Sequence, residues 1–74
     1  MKINKDDLVE VFDSTKKESI FYGQIVSIKN ETHVWFRYQM ENSLRYRDIK
    51  FIKQKDSWVC EHNISWVLSF SLEG

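Results

Sequence analysis

Cys60, Glu61 and His62 stand together late in the chain, and with His33 they hold all of its thiol and imidazole groups. On a strand, positions 60 and 62 share a side, so a thiol and a base could meet there. Nucleophilic catalysis needs more, namely an orienting group and backbone donors gathered around a developing oxyanion. With Gly23 and Gly74 the only glycines, no such cradle is readable. One Cys and two His without a ligand spacing do not describe a metal site either. A phosphate-cradling glycine loop, a serine-nucleophile motif and paired carboxylates are all missing. The expectation is a protein that is not an enzyme and uses no cofactor or metal, with Cys60 a buried structural residue.

A second group of residues points to recognition. Val34, Phe36, Tyr38 and Met40 alternate with His33, Trp35, Arg37 and Gln39, the period of two that belongs to a strand. A three-residue turn at Glu41-Asn42-Ser43 would set Met40 opposite Leu44, Tyr38 opposite Tyr46 and Arg37 opposite Arg47. One side of the hairpin is then apolar, and the other gathers Trp35, Arg37, Arg45 and Arg47. Like charges facing each other across a ladder destabilise it unless something neutralises them. Trp and Arg are typical interface anchors, which suits a protein partner. Aromatic and guanidinium groups also suit base stacking and phosphate contact. The bland alternative is a solvated face whose arginines pair with nearby carboxylates. Lys50, Lys53 and Lys55 extend the basic strip.

These residues rest on a small frame. Seventy-four residues make one domain (1–74) with a thin core, and aromatics at 15% supply much of its buried area. Eleven Lys and Arg balance eleven Asp and Glu, which argues against non-specific nucleic-acid binding. A single Cys excludes an intramolecular disulfide. The first residues carry no apolar run like a signal peptide, and the longest uncharged stretch, His62 to Leu72, is too short to span a bilayer. A reducing, cytoplasmic setting is expected.

Helical periodicity is absent, and strand candidates follow one another as in a β meander. They are Leu8–Phe12, Ile20–Ile28, Thr32–Met40, Leu44–Tyr46 and Trp58–Glu61, then a last strand from Ile64. Asp48–Ile52 breaks the alternation and suggests a tight turn. Gly23 marks a bulge or a close backbone approach. The register of 20–28 stays open, since Ile20, Tyr22, Val26 and Ile28 compete with Phe21, Gly23 and Ile25 for the interior. Ile64, Trp66, Leu68, Phe70 and Leu72 form an apolar stripe, either core or the seam of a homodimer.

The run Phe21-Tyr22-Gly23-Gln24-Ile25-Val26-Ser27-Ile28, then Val34-Trp35-Phe36-Arg37-Tyr38, then Leu44 and Asp48-Ile49-Lys50-Phe51-Ile52 resembles an SH3-like small barrel of the Tudor type over residues 8–52. The acidic-aromatic-glycine-asparagine turn usual in that family is replaced by Arg37-Tyr38-Gln39-Met40. The resemblance implies a binding module, with Tyr22 and Tyr38 available to an aromatic cage or to the core. The expected fold is an all-β, SH3-like antiparallel barrel of five to six strands in a meander, with an extra C-terminal hairpin. The expected function is binding of a protein partner, as an adaptor or small inhibitor, through Trp35, Arg37, Arg45, Arg47, Lys50 and Lys53. Binding of RNA or single-stranded DNA by the same face is the alternative.

Overall fold

A computed structural model describes residues 3–69 of the chain. Six antiparallel strands follow one another around a closed barrel: β1 (Leu8–Asp13), β2 (Glu18–Lys29), β3 (His33–Gln39), β4 (Tyr46–Gln54), β5 (Ser57–Cys60) and β6 (Asn63–Ser69). Each pairs with the next, and β6 returns to β1 through Val11–Leu68 and Asp13–Trp66. The barrel is compatible with the SH3-like architecture. The C-terminal hairpin, β5 and β6, is itself part of the wall and completes the ring.

Alternation fills the interior. On β3, Val34, Phe36 and Tyr38 are buried while Trp35, Arg37 and Gln39 are exposed. Val9 and Val11 enter from β1, Ile25 from β2, Phe51 from β4 and Leu68 from β6. Phe36 meets Phe51 edge-on at 6.0 Å, and Phe21 stacks on Tyr38 at 4.1 Å. Such ring pairs add about 0.5–1.5 kcal/mol beyond the area they bury.

The competing register of β2 is resolved by bulges. Phe21, Gly23 and Ile25 lie on the inner side, opposite Val11, Val9 and Phe36. Val26 is then left out of the pairing with β3, so Ile28 turns inward opposite Val34 while Ser27 and Trp35 face out. One extra residue reverses the parity of everything after it. Gly23 serves the close approach instead: a Cβ there would collide with the Arg37 carbonyl oxygen and stand 2.9 Å from the Phe36 ring.

Two expectations need correction. The turn after β3 holds four residues, because the Met40 N–H donates to the Arg45 carbonyl at 2.9 Å around Glu41–Leu44. Pairing therefore moves by one residue, which exchanges the two faces of β4. Arg37 faces Asp48, Tyr38 faces Arg47, and Gln39 faces Tyr46. Asp48–Ile52 contains no turn, since β4 runs unbroken through it. Of the C-terminal stripe, Leu68 is in the core and Trp66 packs against it, but Ile64 is 80% exposed. Phe70 and Leu72 lie outside the described residues.

The ladders are unequal. β3 and β4 pair from His33–Ile52 to Gln39–Tyr46. β4 and β5 pair only from Phe51–Cys60 to Gln54–Ser57. Among the described residues, the first half of β4 thus has a strand neighbour on one side only.

Candidate functional site

Where β4 parts from β5, a cavity of about 490 Å³ opens through the wall. Phe21, Tyr38, Ile49 and Trp66 supply apolar lining, while Arg47, Asp48, Lys50 and Glu61 supply charge. Trp66 meets Phe21 edge-on at 5.4 Å, which ties β6 to β2 beneath the opening. The β5–β6 turn, with Cys60, Glu61 and His62, forms the opposite rim.

Two ion pairs organise the charge. The Arg37 guanidinium donates to both Asp48 carboxylate oxygens, at 2.8 and 3.1 Å. That pairing holds the Asp48 carboxyl below its ordinary value and raises the Arg37 guanidinium further above neutrality. The expected Arg37–Arg47 repulsion is therefore replaced by a neutral pair on the outer face. The Lys50 ammonium lies 2.9 Å from Glu61, whose carboxyl it holds below the usual range, and 5.5 Å from the centre of the Trp35 ring. The Glu61 N–H also donates to the Lys50 carbonyl at 3.0 Å, which fixes the turn against β4.

The six expected contact residues divide accordingly. Trp35, Arg37 and Lys50 share the outer face of β3 and β4, with Trp35 still 36% exposed. Arg47, opposite Tyr38, belongs to the other side and stands exposed at the rim of the opening. Arg45 is exposed in the β3–β4 loop, and Lys53 is exposed opposite Trp58 on β5. Among the described residues, Arg45, Arg47 and Lys53 have no carboxylate within ion-pair distance. A smaller hollow of about 260 Å³ lies on the outer face between Lys29, Asn30, His33, Trp35 and Lys50.

Sequence reasoning missed Ile49, Asp48, Glu61 and Trp66. Asp48 and Ile49 stand on the strand that was shifted by one residue, and Glu61 and Trp66 come from elements far along the chain. Tyr22 and Tyr38 do not share a site: Tyr22 is 61% exposed and Tyr38 is buried in the core. Cys60 is buried and faces Phe51, whereas His62 is exposed on the turn, with Nε2 3.8 Å from Glu61. Among the described residues there is no group of three or more His, Cys, Asp or Glu that could hold a metal, and no helix long and apolar enough to cross a membrane. Neither the protein-family models, the curated proteins nor the solved structures compared with this chain contain a match.

Proposed function

We propose that this chain is a non-enzymatic module that binds a protein partner across the opening between β4 and the β5–β6 turn. The observation that carries this reading is the cavity itself: an apolar floor of Phe21, Tyr38, Ile49 and Trp66 reached past the charged rim. Protein interfaces have this make-up, with aromatic anchors inside and a polar, partly charged margin. The likeness to a Tudor-type barrel supports the same general role. Neutralisation of Arg37 by Asp48 and of Lys50 by Glu61 leaves less free positive charge than a phosphate backbone would use. A small adaptor or inhibitor would work in this way, in a cytoplasmic setting.

A second reading, binding of RNA or single-stranded DNA, is favoured by the outer hollow, which Lys29, His33, Lys50 and Trp35 line together.

One capture experiment separates them. The full chain is immobilised and exposed to nuclease-treated extract of its native host, beside an Ile49→Ser/Arg47→Glu variant checked for folding. Proteins held by the first and released by the second are the expected result. Equal retention by both would refute this surface. Oligonucleotide binding that weakens steeply as salt rises would transfer the function to the second reading.

A further inference from the structure

We infer that the unpaired half of β4 is a strand-addition site, which receives an extended segment of the partner carrying a carboxylate two positions from an apolar residue. The inference rests on the protein-binding reading above and adds its mode.

The β3–β4 ladder fixes which backbone groups are free. Met40 N–H to Arg45 carbonyl and Lys53 N–H to Thr32 carbonyl, both at 2.9 Å, bracket it. Antiparallel bonding alternates, so Arg47, Ile49 and Phe51 turn their N–H and C=O toward β3. Tyr46 and Asp48 turn theirs the other way. On that side β5 pairing starts only at Phe51, and the Lys50 carbonyl accepts from Glu61. Among the described residues no strand pairs with this side of Tyr46 and Asp48, which thus present successive donor–acceptor pairs along an edge beside the cavity, the arrangement that an added strand uses.

Side chains then specify the occupant. A residue paired with Arg47 shares its side and meets a guanidinium that has no carboxylate among the described residues. The residue paired with Ile49, two positions away, points toward the apolar floor. For an antiparallel guest the order is apolar, any residue, then Asp or Glu. A second copy of this chain fits poorly. Each antiparallel self-pairing that bonds Tyr46 and Asp48 sets like charges opposite: Arg47 against Arg47 or Arg45 of the copy, or Asp48 against Asp48. Such pairs are destabilising.

The test selects short random peptides displayed on phage against the folded full chain, and follows the enriched peptide by amide NMR. Enrichment of the apolar-x-carboxylate pattern is expected, with slowed exchange at the Tyr46 and Asp48 amides. Methylating the peptide nitrogens that face these residues should weaken binding at least about tenfold. Asp48→Pro removes an N–H that β3 does not use and should weaken it similarly. Tyr46→Pro, at the first residue of the strand, provides a second version should the former disturb folding. Arg47→Glu should favour a peptide with Lys in place of the carboxylate. Binding that ignores both proline variants and the methylated peptides would overturn strand addition and leave the protein-binding reading intact. A dimer of the chain alone that Asp48→Pro dissolves would assign the edge to a second copy and overturn the proposed occupant.

Discussion

The two halves of this barrel are joined differently. From β1 to β4 each strand pairs along most of its length, and Phe36, Tyr38 and Phe51 pack against one another on that wall. From β4 to β6 the ladders are short: four residues of β5 hold β4, and among the described residues β5 meets β6 only at Val59–Val67 and Cys60–Asn63 around a bulge. Closure therefore does not demand even pairing. A wall that is complete on one side tolerates an opening on the other, and at that opening the described residues bring together an unpaired strand edge, aromatic rings and the Arg47 guanidinium.

Gly23 offers the strongest way to break the contrast. It lies within the complete wall, where a methyl group would strike the Arg37 carbonyl. Gly23→Ala should lower unfolding stability by about 3 kcal/mol in a denaturant titration, through forced backbone displacement. For so small a domain that is a large share of a total of about 4–11 kcal/mol. An unchanged midpoint would mean that the wall yields easily and the two halves are alike.

Glu31 sharpens the contrast in the other direction. It holds φ at 59° beside Asn30 at 55°, in the turn between β2 and β3. Asparagine accepts this left-handed geometry, and glutamate is strained by it. Glu31→Gly should raise stability by about 1 kcal/mol, read from the same titration.

Acid gives the smallest effect and compares two carboxylates. Asp13, buried where β1 meets β6, accepts from the Thr15 hydroxyl at 2.6 Å and from the Thr15 and Lys16 amides. The Thr15 hydroxyl chiefly holds its carboxyl below the ordinary value of 3.8, against the opposing effect of burial. A carboxyl lowered in the folded state stabilises above its unfolded value and loses that contribution as pH falls through the folded one. The melting temperature should therefore fall below pH about 4. Asp13→Asn should melt lower at neutral pH and lose less in acid. Asp48→Asn should change both readings less, because its pair with Arg37 is well exposed to water. If the order were reversed, the opening and not the seam would be the clasp.

The alternation from Val34 to Tyr38 made the inner and outer sides of β3 legible before any coordinates, and the meander followed from the spacing of the apolar runs. The site was less legible because hairpin register depends on loop length. Glu41-Asn42-Ser43 looks like a three-residue turn, yet Leu44 joins the loop and is left 88% exposed. That one residue turned a supposed Arg37–Arg47 clash into an Arg37–Asp48 ion pair and sent Arg47 to the rim. Glu61 and Trp66 were hidden for a different reason. Glu61 reaches Lys50 by extending the β4–β5 hairpin past its last pair, and Trp66 reaches Phe21 only through ring closure, a long-range event that no local pattern encodes.

The meeting of β1 with β6 also bears on when this protein can fold. Val11 waits for Leu68, and Asp13 for Trp66. The closing seam has no second strand until β6 has been made. Pairings this distant in sequence form slowly. Barrel completion is thus a late step that follows translation of β6, and until then the β6-facing edge of β1 has no strand beside it.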